Sequence, residues 1–381
     1  MIRRKVSDRV LELSKLFPVI TITGPRQSGK TTLCKMLFPD KRYVSLEDLD
    51  ERKFAEEDPK GFLNRFPDGA VIDEIQYVPG LFSYIQTIVD EKNISGMYIL
   101  TGSQQFEMLE HISQSLAGRV AIVKLLPFSL DEAYSNLDNK ELDEVLFTGF
   151  FPRIFDKKIN PTDMASFYVS TYLERDVRKL VNVKDLLKFE MFLKLIAARS
   201  GQLLNLSSIA EACGVSHNTI KSWVSVLEAS YIIKISYPFF RNIKKRLVKT
   251  PKVYFLDTGL LCYLLGIRRV EHLEIHPLKG AIFESFVVAE LLKNRFNKVE
   301  QDNLFFYRDH KGIEIDVVID NGIELDLMEI KLSQTFSESF FKNFSKFPSY
   351  DYLTKDIIVY GGETFKYKNY LLYSWKDISQ L

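Results

Sequence analysis

With 381 residues, 46% of them hydrophobic and 27% charged, the chain can bury a sizeable core and is long enough for two or three globular domains. Fifty-one Lys and Arg against 50 Asp and Glu leave a formal net charge of +1, so any affinity for nucleic acid must come from a local patch. Three widely separated cysteines, Cys34, Cys213 and Cys262, show neither a C-x-x-C pair nor Cys/His zinc spacing, which argues against a disulfide frame or a zinc site and suits a reducing compartment.

Residues 1–5 carry basic side chains, but Asp8, Arg9, Glu12 and Lys15 interrupt any apolar run after them, so no signal peptide is expected. The longest apolar stretch, 253–267, contains Asp257 and is too short to span a bilayer. The expectation is a cytoplasmic protein with no membrane partner.

Apolar residues at helical spacing (Val6, Val10, Leu13, Leu16) predict a first helix, followed by an apolar strand at 19–22. Gly24-Pro25-Arg26-Gln27-Ser28-Gly29-Lys30-Thr31 then fits G-x-x-x-x-G-K-[ST], with Thr32 entering the next helix. In such a loop the glycines permit a tight turn whose N–H groups face phosphates, the Lys30 ammonium reaches the β/γ-phosphates and the Thr31 hydroxyl ligates Mg²⁺. The ligands expected are ATP and Mg²⁺. An ordinary loop matching by chance is the competing reading, and a strand before and a helix after it count against that.

A β–α alternation follows, with strands predicted at 42–46, 70–72, 97–101 and 119–125 and a helix at 81–91. It implies a mostly parallel sheet covered on both faces, with its ligand at the carboxyl ends of the strands. There Asp73 is placed to hold the Mg²⁺ shell through water, and Glu74 to orient or deprotonate the attacking water. An acidic turn that merely ends a strand is the alternative. Thr101-Gly102-Ser103 could set a hydroxyl, Ser103 in particular, as a γ-phosphate sensor, or could be a simple glycine turn. Arg119 could be a solvated charge, or a finger on the transition-state phosphate supplied in cis or by a neighbouring molecule.

Taken together, 24–32, Ala70-Val71-Ile72-Asp73-Glu74-Ile75-Gln76, Leu100-Thr101-Gly102-Ser103 and Ser115-Leu116-Ala117-Gly118-Arg119 resemble the prokaryotic AAA-type P-loop ATPases, near the archaeal and signal-transducing ATPases, that carry a carboxyl-terminal domain of unknown function. Downstream marks of that family also occur: Gly149-Phe150-Phe151-Pro152, 171–177 and Leu256-Asp257-Thr258-Gly259-Leu260. The resemblance spans nearly the whole chain. It departs where Phe150 replaces a usual second glycine and where Gln104 replaces a small residue.

Helical spacing across 142–200 resembles the lid of AAA-type proteins. Arg175 and Arg178 could reach nucleotide from that lid or pair with Glu174 and Asp176. Residues 202–240 read as a helix-turn-helix, with Ser207 and Ser216 as N-caps and a turn at Gly214. The basic residues Arg241, Lys244, Lys245, Arg246, Lys249 and Lys252 stand in the place of a wing. DNA is thus a candidate partner, through His217, Asn218, Lys221 and Ser222, with packing or protein contact as the alternative.

In the last third, Glu284 lies on an amphipathic helix, and strand alternation sets Glu314 and Asp316 on one face and Ile315 and Val317 on the other. Glu329 and Lys331 share a face of the next strand. This D…E-x-K layout resembles the restriction-endonuclease-like fold. The resemblance implies Glu284, Asp316 and Glu329 as Mg²⁺ ligands and Lys331 as the group that polarises water or stabilises the phosphorane. A purely structural domain is the alternative.

The expected fold class is therefore α/β: a P-loop parallel sheet (1–140), a helical lid (141–200), a winged helix (201–255) and a restriction-endonuclease-like α/β domain (256–381). The expected activity is Mg²⁺-dependent ATP hydrolysis by Glu74 with Arg119, coupled to a nucleic-acid-binding and candidate nuclease region, with self-association as a further candidate. A nucleotide-dependent switch that binds protein or DNA without cleaving is the alternative.

Overall fold

The computed structural model describes residues 2–103, 112, 114–173, 186–240, 250–349, 352–368 and 370–381. The lid arginines Arg175 and Arg178 lie outside the described residues, as do the wing residues Arg241, Lys244, Lys245, Arg246 and Lys249. The chain divides into two compact units, one of Met1–Phe128 with Ala229–Tyr231 and Arg295–Gln301, the other of the remainder.

In the first unit, β1 (Val19–Thr23), β2 (Tyr43–Ser45), β3 (Ala70–Asp73), β4 (Tyr98–Gly102) and β5 (Val120–Lys124) form one sheet in the order β2-β3-β4-β1-β5. Every pairing in it is parallel. Strand alternation sorts the core into two layers. Ile20, Ile22, Val71, Ile99 and Val123 face Val6, Val10 and Leu13 of α1 (Ser7–Ser14) and Leu33 and Cys34 of α2 (Lys30–Leu37). Val19, Ala70, Ile72, Tyr98 and Leu100 face Phe62, Leu81, Phe82, Ile85 and Val89, from the helices Pro59–Asn64 and Leu81–Lys92. Each such fully buried large apolar side chain contributes about 1.5–3 kcal/mol. Covered on both faces, these strands read as nearly unbroken apolar runs.

The second unit holds the segments expected as lid, helix-turn-helix and carboxyl-terminal domain, which several buried polar contacts join. Asp257 caps the helix Thr258–Leu264 by accepting from Leu260 N at 2.8 Å, and accepts from Phe150 N at 2.7 Å. It thereby brings together two motifs 107 residues apart in sequence. Ser200 and Ser285 hydroxyls pair at 2.8 Å, and Lys279 meets Asp143 at 2.6 Å. The helices Leu206–Cys213 and His217–Ala229 flank a turn at Gly214, whose φ is +60°. Ser216 caps the second of them, accepting from Thr219 N at 3.1 Å, but the cap of the first is Asn205 rather than Ser207, accepting from Ser208 N at 3.1 Å.

Beyond the antiparallel pair β6 (Ile233–Ser236) and β7 (Lys252–Phe255), a six-stranded mixed sheet runs β12-β13-β11-β10-β9-β8. It comprises β8 (Leu304–Arg308), β9 (Glu314–Asp320), β10 (Glu324–Lys331), β11 (Leu353–Tyr360), β12 (Phe365–Tyr367) and β13 (Tyr370–Ser374). The pairing of Met328 with Val317 sets Glu329 close to Asp316. Among the described residues, no helix is long and apolar enough to cross a membrane.

Removing the Asp257 carboxylate leaves two buried N–H groups unpaired. Asp257→Ala is expected to lower stability by about 2–3 kcal/mol, measured by urea denaturation, and a change under about 0.5 kcal/mol contradicts this account.

Candidate nucleotide site and carboxyl-terminal acid cluster

Between β1 and α2 the backbone turns through three positive-φ residues, Gly24 at +155°, Gln27 at +61° and Gly29 at +93°, and Gly29 caps the amino end of α2. A Cβ on Gly24 would stand 2.1 Å from Leu125 O, so only glycine fits there. Lys30, just 6% exposed, donates through Nζ to Gly24 O and Pro25 O, both at 2.9 Å. Burial lowers its pKa, opposed by the charges of Glu74 and Asp73. The buried Ser28 hydroxyl has no hydrogen-bond partner among the described residues. A buried ammonium satisfied only by carbonyls of its own loop, beside an unpartnered hydroxyl, is a donor set that fits a phosphate anion. Arg26 meets Glu47 at 3.7 Å, and Thr32 is exposed on α2.

Because β4 lies between β1 and β3, their carboxyl ends deliver one connected polar network. Thr31 Oγ1 donates to Asp73 Oδ2 at 2.8 Å, Tyr43 OH donates to the same oxygen at 2.7 Å, and Thr101 Oγ1 donates to Asp73 Oδ1. Glu74 has left-handed φ/ψ of 57°/46°, an uncommon conformation outside glycine, and its N–H reaches Thr101 Oγ1 at 3.3 Å. Ser103 Oγ donates to Glu74 Oε2 at 3.1 Å, and Gln76 Nε2 donates to the same oxygen. Thr31 and Asp73 are thus positioned as a hydroxyl and carboxylate pair that could ligate Mg²⁺. Tyr43 and Gln76 thus join the site as well; the first comes from the neighbouring strand β2 and carries no local signal.

Residues 16–134 match the family described as an AAA domain. Residues 139–271 and 279–377 match two domains of unknown function, DUF8612 and DUF4143. The uncharacterized proteins Mb2031c of Mycobacterium bovis and Rv2008c of Mycobacterium tuberculosis are each 29% identical over 342 residues, covering 88% of this chain and 75% of theirs. Among solved structures, the Walker-type ATPase PABY2304 of Pyrococcus abyssi aligns with a TM-score of 0.46 and 13% identity, over 68% of this chain and 94% of that one. The AAA match supports nucleotide binding by the first unit.

Arg119 does not join this polar network within the chain. It precedes β5 and accepts Val19 N through its carbonyl at 3.2 Å, so it sits at the amino ends of β1 and β5 while the phosphate loop leaves the carboxyl end of β1. At about 3.3 Å per residue, a five-residue strand separates the two. Its guanidinium forms a forked pair with Asp90, Nη2 to Oδ2 at 2.8 Å. The cis alternative is therefore corrected.

In the second unit, Asp316, Glu329 and Lys331 do come together. Lys331 Nζ pairs with Glu329 and lies 3.4 Å from Asp316 Oδ2, which also accepts Ile330 N at 2.7 Å. Asn343 Nδ2 donates to Glu329 Oε1 at 3.0 Å. Glu284 accepts from Tyr254 OH at 2.7 Å and from Lys252 Nζ at 3.2 Å, and Lys252 also meets Glu314 at 2.6 Å. Lys252, expected in the place of a wing, is 3% exposed and serves as an internal counter-ion on β7, a strand buried on both faces. Among the described residues no group of three or more His, Cys, Asp or Glu could hold a metal ion. Lysines stand where the expected metal set of Glu284, Asp316 and Glu329 would place an ion: Lys252 pairs with Glu284, and Lys331 with Glu329 and Asp316.

Burial, with Asp316 adding to it and Lys331 opposing, pushes the Glu329 carboxyl up to about 7, and burial does the same for Glu284 against Lys252. The folded chain therefore keeps protons that the unfolded chain releases near 4.5, and this contribution to stability, complete below 4.5, is lost as pH rises to about 7. Glu329→Gln is expected to flatten the fall in urea midpoint across that window by about one proton. An unchanged pH slope contradicts Glu329 as a source.

Proposed function

We propose that this chain is a Mg²⁺-dependent ATPase. The observation that carries the reading is the network in which Thr31, Asp73, Thr101, Glu74 and Ser103 converge beside the buried Lys30. On this reading Lys30 leaves the carbonyls of Gly24 and Pro25 for the β/γ-phosphates, and the N–H groups of 26–32 and the Ser28 hydroxyl line the polyphosphate. Thr31 and Asp73 would hold Mg²⁺, which when bound neutralises charge on the phosphate oxygens. Glu74 takes the proton from the attacking water, and its carboxylate is held for that task by Ser103 and Gln76. Ser103, tied to Glu74, is placed to register the γ-phosphate.

Arg119 acts in this scheme only from a second molecule, with its Asp90 pair exchanged for phosphate charge. The chemistry of the second unit is better described by the switch reading than by cleavage, because lysines occupy the carboxylates a metal would need. Nucleotide state would then govern what that unit binds, DNA or protein.

Glu74→Gln is expected to lower steady-state ATP turnover by about 100-fold or more while ATP still binds, and unchanged turnover sinks the hydrolysis assignment. Arg119→Ala and Glu74→Gln, each inactive alone, are expected to regain measurable turnover when mixed. If every mixture stays at the level of the separate variants, Arg119 does not act between molecules.

A further inference from the structure

A loop that points successive N–H groups at an anion must turn carbonyls the other way, into protein, where they need donors. Ser28 O finds its donor 24 residues earlier in the sequence: Arg4 Nη1 lies 2.8 Å from it. The other arm of the same guanidinium, Nη2, donates to Leu126 O at 2.7 Å and to Pro127 O at 3.4 Å. The guanidinium carbon stands 4.9 Å from the centroid of the Phe128 ring, and Arg4 as a whole is 5% exposed. It is thus a buried, forked side chain joining the phosphate loop to the segment that follows β5.

That segment backs the loop at a second point. Leu125 N donates to Thr23 O at 2.7 Å, and Leu125 O fills the space where Gly24 would carry a Cβ. The loop is therefore held from behind at its start by Leu125 and near its end by Arg4.

The peptide geometry makes the Arg4 contact matter for binding. Ser28 C=O and Gly29 N–H belong to one planar trans peptide and point in opposite directions. Fixing the carbonyl on Arg4 therefore aims the Gly29 N–H away from Arg4. Gly29, at φ +93°, opens α2, so this amide is among those a phosphate would meet. Gly29 itself has little intrinsic preference to keep that orientation.

We propose that Arg4 is a positioning residue for the nucleotide site: it locks the Ser28–Gly29 peptide with its amide toward the phosphate and ties the loop to residues 125–128. The proposal rests on the ATPase reading above. Lysine cannot replace it, because a single ammonium lacks the planar fork that serves Ser28 O and Leu126 O together.

The test compares the full-length wild type, Lys30→Ala, Arg4→Ala and Arg4→Lys by titration with a fluorescent ATP analogue and by steady-state hydrolysis. Arg4→Ala is expected to raise Kd and KM for ATP by about tenfold or more, with kcat held within about threefold, because ground-state orientation of the loop is what is lost. Millimolar guanidinium, but not ammonium at equal ionic strength, is expected to restore part of the affinity, a response that a merely structural role does not produce. Arg4→Lys is expected to bind more weakly than wild type by about fivefold. Wild-type affinity in a folded Arg4→Lys, or weakening in Arg4→Ala that guanidinium does not relieve, overturns the proposal. If Arg4→Ala does not fold, Arg4→Lys decides alone. Should wild type itself bind no better than Lys30→Ala, the ATPase reading fails instead, and the two failures are told apart.

Discussion

Everything at the phosphate loop depends on β4 lying between β1 and β3. Parallel neighbours cannot be joined by a tight hairpin, so the chain crosses back between strands and all five end at the same edge. At that edge the chain must place three different endings side by side: the loop after β1, the acids after β3 and the hydroxyls after β4. The hydrogen bonds from Thr31 and Thr101 to Asp73 and from Ser103 to Glu74 follow from that order. The left-handed backbone at Glu74 is tolerated because its N–H is held by Thr101 of β4 and its carboxylate by Ser103 just beyond it.

A second constraint is the burial of charge. Lys30, Lys252 and Glu329 are each nearly sealed from water, and a sealed ion needs a partner of opposite sign or a ring of dipoles. Lys252 has carboxylates at 2.6 and 3.2 Å, and Glu329 has Lys331 and Asn343. Lys30 has two backbone carbonyls and only longer-range attraction from Glu74 and Asp73. That difference separates the two clusters physically. The carboxyl-terminal one holds its lysines in ion pairs within the cluster, whereas the hydrogen bonds of the phosphate-loop cation go to backbone carbonyls.

Much of the first unit was legible in the sequence because its signals are local. The apolar runs that become β1, β3 and β4, the glycines of the loop and the acids after Ile72 occupy consecutive positions, and each stands within a residue or two of where spacing placed it. The alternation that set Asp316 opposite Ile315 held for the same reason. Tyr43 was not legible as a partner of Asp73, since a hydrogen bond across strands leaves no periodic trace, whereas Gln76 stands two residues from Glu74 and only the folded turn shows its amide on that carboxylate. The strands β11 to β13 beyond Lys331 likewise followed no motif.

By itself, then, the sequence determined which residues turn tightly, which alternate between faces and which chemistry sits at a strand end, because backbone sterics and side-chain period act over a few neighbours. Tertiary structure alone decided which end of a strand a residue reaches and which charges meet. Arg119, one residue ahead of β5, is carried to the edge opposite the phosphate loop by parallel pairing with β1. Lys252 looks like one more basic residue of a surface segment until Glu284 and Glu314, 32 and 62 positions later, close around it. Arg4 reads as part of a charged amino terminus, yet its guanidinium lies buried behind Ser28. In each case the deciding energy is a contact between distant segments, which no local pattern encodes.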